Sequence, residues 1–288
     1  MKTKRLLLGI LLVITAGVSF AQESISLNVV YEFSYVRDLS QKDNPYISNM
    51  VLSLGKGTSR YCTEKDYKDN DRNSIAKRKL QQTQTAAAPR PVKAVAGGPA
   101  LFVGRSGVAI REEIMKDIPK RKLETTGFIG SKVYTVQTEL PKINWELRPE
   151  RKTIDKYGCQ RALGRYAGRD YEVWFAPDLP FRDGPWKLQG LPGLILEAHD
   201  TNNEVVFTCK GISRNDDSAE TVMSFLKDPY TITTNLKSYN RTRASFDQDP
   251  EAIILAEHPE ARIFVLPMDS TGTKKVIKIK QYNPLEKD

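Results

Sequence analysis

The segment 171–200 constrains the fold of this chain more than any other, because prolines and glycines punctuate a run of large apolar residues there. It reads YEVWFAPDLPFRDGPWKLQGLPGLILEAHD. Proline fixes φ and donates no hydrogen bond to a neighbouring strand, so the segment cannot be one continuous central strand. We expect a strand that leaves the sheet after Phe175, a loop through 183–185, and a second strand that begins by Leu194.

The tetrapeptide GLPG at 190–193 suits a sharp chain reversal, because glycine tolerates positive φ and proline presets a tight turn. Two tryptophans flank the loop and are large enough either to plug the end of a sheet or to line a groove. Both interpretations remain open from the sequence. The candidates for contact with a ligand or partner are Trp174, Pro180, Trp186 and Leu191.

Elsewhere the chain predicts many short strands and few helices. Residues 25–35 alternate apolar and polar side chains, which is typical of a strand with one buried face. We therefore predict a mainly β protein with a large curved antiparallel sheet or half-barrel and a few short helices. Further strands are predicted at 46–54, 108–114, 132–138, 143–147, 204–212, 262–266 and 274–282, and helices at 217–226 and 234–245.

The first 21 residues have the pattern of a secretory signal peptide. Basic residues at positions 2, 4 and 5 precede the apolar run 6–18, and small residues at 19 and 21 suit cleavage. No second apolar run approaches the roughly 20 residues of a membrane span, so none is expected after cleavage. The sequence predicts export to the periplasm or the periphery of the outer membrane, with 22–288 as a single β domain.

Composition changes at about 63–99, which we interpret as a flexible insertion. Residues 66–79 are rich in charge, and 81–99 consist of Gln, Thr, Ala, Pro and Gly with little to bury. The formal net charge is +9, and three of the positive charges belong to the signal peptide. A mild excess spread along an exported chain argues against nucleic acid as a partner.

Three cysteines, Cys62, Cys159 and Cys209, would meet an oxidising compartment after export. Either two of them pair, for which Cys159 and Cys209 are the candidates, or the thiols stay buried and inert. Their spacing contains no CxxC motif, so neither a redox pair nor a thiolate metal site is predicted.

The hexapeptide GLPGLI at 190–195 resembles the signature of the GLPGLI family of exported bacterial proteins. The resemblance continues through 157–162, 168–171, 173–180 and 184–187, and the Ala/Pro-rich stretch 85–99 departs from it. It implies no established activity, cofactor or catalytic residue. It does imply a structural role for the motif residues Gly184, Pro185, Trp186, Gly190, Leu191, Pro192, Gly193, Leu194 and Ile195.

Catalytic chemistry has few candidates in this sequence. One nucleophilic arrangement is Cys159 with His199, oriented by Asp200. Adjacent residues on a strand point to opposite faces, so His199 and Asp200 make a poor metal site, and no metal or cofactor is predicted. Paired carboxylates for glycoside hydrolysis would come from Asp178, Asp183, Glu197 and Asp200.

These patterns favour a non-enzymatic envelope protein that binds or handles an apolar ligand, a peptide or an outer-membrane partner. The alternatives are a hydrolase acting on a peptide or glycan, and a structural subunit whose contact is the basic stretch 77–93. Carboxylates that converge on one groove would favour the hydrolase, whereas a groove without them would favour binding.

Overall fold

The computed structural model describes residues 24–70, 100–103, 111–215, 229–257, 262–265 and 279–287. The predicted signal peptide, the predicted helix at 217–226 and residues 71–99 of the predicted insertion lie outside these ranges. The first part of that insertion is helical, because Glu64–Asn70 forms α1. Two further helices are α2, Leu236–Gln248, and α3, Pro250–Glu257. A 3-10 turn covers Leu39–Gln41.

The described residues form a mainly β protein, as the sequence predicted, with one large mixed sheet that is not closed into a barrel. The strands are β1 Leu27–Tyr35, β2 Tyr46–Leu54, β3 Thr58–Thr63, β4 Ala100–Val103, β5 Glu112–Asp117, β6 Lys122–Ile129, β7 Lys132–Glu139, β8 Trp145–Ile154, β9 Tyr157–Tyr166, β10 Arg169–Ala176, β11 Leu194–Asp200, β12 Val205–Arg214, β13 Ile232–Thr234 and β14 Arg262–Val265. The order in the large sheet is β13-β7-β6-β5-β3-β2-β1-β12-β11-β10-β9-β8, and β14 pairs with β4 separately.

Strand β1 lies in the middle of this sheet and shows why the alternation in the sequence was informative. It pairs antiparallel with β2 on one side and β12 on the other. Val29, Tyr31 and Phe33 are buried on one face, which we call the core face. They pack there with Leu52 of β2 and Phe207 of β12 in one apolar cluster. The predicted burial of this strand is therefore confirmed.

The hairpin of β8 and β9 was largely missed, since only 143–147 had been predicted as a strand in this region. Strand β8 is an edge strand whose charged side chains are mostly exposed, so its sequence carries little apolar alternation. Pro149 lies where the pairing of β8 with β9 is interrupted, between Leu147 and Arg151. Edge strands and bulges are the positions at which a sheet accommodates proline.

The disulfide considered between Cys159 and Cys209 is not formed, because all three cysteines are free thiols in the structure. Cys159 lies on β9 and Cys209 on β12, with β10 and β11 between them. Three strand spacings amount to about 14 Å, whereas a disulfide needs Cα atoms within about 7 Å. The expected pair is therefore too far apart to bond in this sheet.

In the part of the chain that the structure describes, no helix combines the length and apolar character needed to cross a bilayer.

The excursion between β10 and β11 follows the prediction from the sequence. Strand β10 ends at Ala176 and β11 begins at Leu194. We call the intervening residues 177–193 the crossing loop. Gly193 ends this loop so close to β10 that an added Cβ would lie 2.3 Å from the carbonyl oxygen of Ala176. Only a residue without a side chain fits this approach.

We predict that Gly193→Ala destabilises the protein by about 2–3 kcal/mol, because the backbone of the crossing loop must move away from Ala176. Urea unfolding measures the change. Gly158→Ala is the matched control, since an added Cβ at Gly158 meets nothing within 4 Å. Equal stability of the two variants would contradict the close approach.

Candidate functional site

A buried ion pair attaches the crossing loop to the core face. Lys116 of β5 is fully buried, and its ammonium binds the carboxylate of Asp183 in the loop. Lys116 Nζ also donates to the carbonyl oxygens of Gly184, at 2.9 Å, and Leu188, at 3.3 Å. Ser59 of β3 donates its hydroxyl to the other carboxylate oxygen of Asp183. One lysine therefore holds the loop at three points.

Within this buried pair, the charge of Lys116 is neutralised by the carboxylate of Asp183. Burial lowers the pKa of Lys116, and the neighbouring Asp183 carboxylate opposes that shift. The Asp183 carboxylate also accepts a hydrogen bond from the backbone N–H of Gly184, at 2.7 Å. Because both charges are enclosed, removal of either partner would leave the other buried and uncompensated.

The motif residues of the loop mostly serve its shape. Gly190 has φ +101°, a conformation that favours glycine. At Gly184 an added Cβ would lie 2.8 Å from Cβ of Ile195. Ile195 in turn accepts a hydrogen bond at its carbonyl oxygen from Tyr31, at 2.6 Å. The described geometry thus gives these glycines a physical reason to be glycine.

The four residues predicted to contact a ligand do not converge on one place. Trp186 is only 3% exposed, has φ +53°, and stacks on Phe207 of the core face with their planes 16° apart. Leu191 is buried in the core, and Pro180 is exposed on the loop. Of the four, Trp186 alone lines the cleft described below.

Trp174 lies on the opposite face of the sheet, which we call the outer face. Its neighbours on β10, Val173 and Phe175, are buried on the core face. Lys152 Nζ sits 4.5 Å from the centroid of the Trp174 ring, and Trp174 donates to Glu172 at 3.3 Å. The sheet therefore separates the two tryptophans.

The residues considered for hydrolysis are also separated. Cys159 faces the core, where burial raises the pKa of its thiol to about 11. His199 lies instead near Glu172 on the outer face, at 3.7 Å. Asp200 points away from His199 into a buried cluster with Arg169.

The carboxylates considered for glycoside hydrolysis are likewise far from one another in the fold. Asp183 is engaged by Lys116 below the loop, whereas Glu197 pairs with Lys152 on the outer face. Asp178 is exposed at the start of the loop. No two of these carboxylates share a groove.

A cleft of about 290 Å³ opens on the core face, and it is the candidate site. Helix α2 forms one wall, and residues 279–287, which we call the C-terminal tail, form another. Trp186 and Lys187 of the crossing loop complete the walls. The floor comes from side chains of three strands, Tyr35 of β1, Glu112 of β5 and Thr125 of β6.

An ion network attaches α2 to the sheet. Asp247 of α2 lies 2.8 Å from Arg37, which follows β1, and 3.3 Å from Arg243 one helical turn earlier. Arg243 Nη1 is 3.5 Å from Glu112, whose carboxylate also accepts the hydroxyl of Tyr239 at 2.8 Å. Burial opposes the charge of Arg243, but Asp247 and Glu112 outweigh it and raise its pKa. The helix is thus fixed through charges that line the cleft.

A second network attaches the C-terminal tail. Arg169 of β10 is buried, and its Nη1 lies 2.5 Å from Asp200 and 3.1 Å from Glu204. Its Nη2 donates to the side chain of Asn283, at 2.8 Å, and to the carbonyl oxygen of Pro284, at 2.7 Å. The strand predicted at 274–282 is not formed by the described residues 279–282, of which Tyr282 makes an isolated bridge.

Asp38 holds the start of the tail. Its carboxylate accepts backbone hydrogen bonds from Lys280 at 3.0 Å, Gln281 at 3.1 Å and Ser40 at 2.9 Å. Burial favours the protonated carboxyl, but these hydrogen bonds outweigh it and lower the pKa of Asp38 from 3.8 to about 2. The tail position is therefore linked to the ionised state of one carboxylate.

The floor of the cleft carries a hydroxyl without a partner. Thr125 is 1% exposed, and its Oγ1 has no hydrogen-bond partner among the residues that the structure describes. Beside it, a small apolar hollow continues the cleft under Leu285, with Phe33, Met50 and Ile114 in its lining. Trp186 and Glu112 border both spaces. Because Oγ1 of Thr125 has almost no accessible surface, what the cleft and the hollow present to a ligand is apolar surface between paired charges.

Sequence reasoning did not find most of this cleft. A helix was predicted at 234–245, but nothing local indicated that Arg243 faces the sheet, or that the helix continues to Asp247, which also faces it. Glu112 belongs to a predicted strand, yet a charged side chain in an alternating pattern is normally assigned to the solvent face. Across the described ranges, no group of three His, Cys, Asp or Glu side chains could hold a metal ion.

Comparison with known proteins gives a family match over a short segment and weak likenesses to solved structures. A family model described as "Protein of unknown function (Porph_ging)" matches residues 167–197, which include the GLPGLI hexapeptide. Membership of the GLPGLI family itself stays a prediction. No curated protein matches the chain significantly.

Two of the solved structures that resemble this chain are crystal structures of PNGF-II. In space group C2 the TM-score is 0.47 over 77% of this chain, and in P21 it is 0.48 over 76%, both at 13% identity. This chain spans 33% of the length of PNGF-II. The chain thus shares a short segment with a family of unknown function and a weak likeness in backbone arrangement with PNGF-II.

We predict that Lys116→Met destabilises the protein by about 3–5 kcal/mol, because Asp183 stays buried without its cation. Adding Asp183→Asn should recover at least about 1 kcal/mol by removing that charge. Urea unfolding at pH 7 measures both. Arg165→Met, at the exposed pair with Asp170, should cost less than about 1 kcal/mol. An equally small loss at Lys116 would contradict the anchoring role.

The hydrogen bonds of Asp38 predict a specific acid sensitivity. Its folded-state pKa lies below the unfolded value, so its contribution is full above about pH 4 and is lost as the pH falls through about 2. Asp38→Asn should therefore cost about 2 kcal/mol at pH 7 and progressively less below pH 4. Unfolding curves between pH 2 and 7 test this, with Asp178→Asn in the exposed part of the loop as control. A loss that is independent of pH would refute it.

Proposed function

We propose that the protein is a non-enzymatic, exported envelope protein that binds a small ligand in the cleft on the core face. The observation that carries the proposal is the cleft itself, about 290 Å³ between α2, the crossing loop and the C-terminal tail. Concave sites with apolar lining and a few polar groups are the usual form of small-molecule sites. The export step rests on the signal sequence at 1–21.

The lining supports a ligand with both an apolar and a polar side. Trp186, Leu285 and Pro284 present apolar surface, and the small hollow beneath Leu285 extends it. The α2 side chains supply polar groups opposite. The apolar ligand expected from the sequence is thereby refined to an amphipathic one.

Binding is favoured over hydrolysis because the acids of the cleft are already engaged. Glu112 is occupied by Tyr239 and Arg243, and Asp247 by Arg37 and Arg243. A general acid or base must be within reach of the substrate and have a pKa suited to proton transfer. Carboxylates that are already paired with arginines at short distance are better suited to fixing a helix than to exchanging protons.

The test is native mass spectrometry of the mature protein, purified gently from its own envelope. We expect a small molecule at near one-to-one ratio in the wild type and its loss from Ala244→Trp, which fills the cleft from α2. Asn240→Trp, one turn earlier on the same helix, is a second blocked variant. Ala252→Trp, exposed on α3 and outside the cleft lining, is the matched control and should retain the ligand.

Either of two results would overturn the proposal. One is a wild-type protein with no bound small molecule, and the other is retention of the molecule by both blocked variants. Circular dichroism of each variant establishes that loss of the ligand is not loss of the fold.

A further inference from the structure

The C-terminal tail is attached to the sheet in the way that a peptide ligand is attached to its receptor. Its residues 279–287 form no strand, and within this described range the tail makes one isolated bridge, between Tyr282 and Asp38. Leu285 packs on the core cluster but leaves beside it a hollow of about 20 Å³. The tail therefore adds little to the apolar core and depends on polar contacts for its position.

Asn283 is the residue of the tail that the sheet encloses most fully, with 1% of its surface exposed. Its side-chain nitrogen donates to the carbonyl oxygen of Val36 at 2.7 Å and to the carboxylate of Glu204 at 3.1 Å. Its side-chain oxygen accepts a hydrogen bond from Arg169 Nη2 at 2.8 Å. An aspartate of the same shape would meet the two acceptors with no hydrogen to donate. The pocket therefore distinguishes asparagine from aspartate.

The backbone beside Asn283 is bound as well. The N–H of Asn283 donates to the carbonyl oxygen of Arg37 at 2.9 Å. Arg169 donates to the carbonyl oxygens of the next two residues, Pro284 at 2.7 Å and Leu285 at 3.1 Å. In peptide recognition, hydrogen bonds to the main chain supply affinity and a side-chain pocket supplies specificity. Both components are present at this position.

The groove that receives Asn283 is supported by contacts within the rest of the chain. Arg169 lies 2.5 Å from Asp200, whose carboxylate also accepts the backbone N–H groups of Glu204 and Val205, at 2.7 and 3.0 Å. The N–H of Val36 donates to the carbonyl oxygen of Glu204 at 2.8 Å. None of these contacts involves the tail. The groove is therefore preorganised, which lowers the entropic cost of binding a peptide.

We propose that this groove is a recognition site for a peptide with the sequence Asn-Pro-Leu, filled either by the chain's own tail or by the tail of a second copy. The second copy is the occupant because its tail offers the same groups, so each contact made within one chain can be made between two. Exchange of tails gives a symmetric dimer, since each copy donates one tail and accepts one. The exchanged tail lies in the same groove, so the cleft keeps this wall, and the proposal does not depend on the ligand of the cleft.

Binding of a peptide to the full-length chain tests the groove. In Asn283→Ala the chain's own tail is weakened while the groove is unchanged, and fluorescence anisotropy follows a labelled peptide of residues 279–287. We expect this variant to bind the peptide at least about tenfold more tightly than the wild type, whose tethered tail competes at a high effective concentration. Asp38→Asn, which weakens only the start of the tail at Lys280 and Gln281, is the second variant. Failure of both variants to bind more tightly than the wild type would overturn the proposal.

Variants of the peptide test whether the groove recognises the side chain of Asn283. A peptide with Asn283→Asp should bind at least about tenfold more weakly at pH 7, because its carboxylate faces Glu204 and the carbonyl oxygen of Val36. A peptide with Lys280→Ala is the matched control and should bind like the wild-type peptide, since Lys280 contacts Asp38 through its backbone N–H. Equal binding of the Asn283→Asp peptide would show docking without sequence recognition and would contradict the proposal.

The mass of the full-length protein in solution tests the second copy as the occupant. Size-exclusion chromatography with light scattering should show a dimer that grows with concentration in the wild type and in Lys280→Ala, and that is lost in Asn283→Asp. Circular dichroism establishes that Asn283→Asp stays folded. A wild type that stays monomeric would rule out the second copy, even where the peptide binds. A dimer that persists in Asn283→Asp would place the contact between copies elsewhere and would equally overturn the exchange of tails.

Discussion

The ion pair between Lys116 and Asp183 is the constraint on which the core face depends. A segment with four prolines cannot stay in the sheet, so it must lie across the core face, where its backbone carbonyls would otherwise lose hydrogen bonds. Lys116 satisfies two of these carbonyls, and Asp183 compensates its charge. A buried pair costs desolvation and is weak evidence for added stability. Its effect here is positional, since it fixes where Trp186 stands.

The position of Trp186 matters because this residue connects the crossing loop to the sheet and to the cleft. Its ring stacks on Phe207 of β12 and contacts Tyr166 of β9, and its edge borders the cleft. The next residue, Lys187, binds Glu286 of the tail. The loop, the sheet and the tail are therefore joined through two adjacent residues. A displacement of the loop would alter one wall of the cleft directly and a second wall through Glu286.

The sequence predicted features that depend on neighbouring residues and missed those that depend on distant ones. The alternation in β1 and the departure of the chain between Ala176 and Leu194 were visible because burial and proline act locally. The cleft was not, because its walls are held by pairs such as Arg37 with Asp247, 210 positions apart. Trp174 and Trp186 looked equivalent in sequence, and only the pairing of β10 reveals that the former faces outward.

The three walls of the cleft are attached to the sheet by separate charged groups, and this attachment fixes the shape of the binding site. The loop depends on Lys116, α2 on Arg37 and the tail on Arg169. All three cations are buried and held at short distance by carboxylates, so the walls are fixed before any ligand arrives. Preorganised sites lose less conformational entropy on binding. The same ion pairs engage the carboxylates that a catalytic site would need as acid or base. A rigid cleft whose charges are already paired is thus better suited to recognising a small molecule than to transforming it.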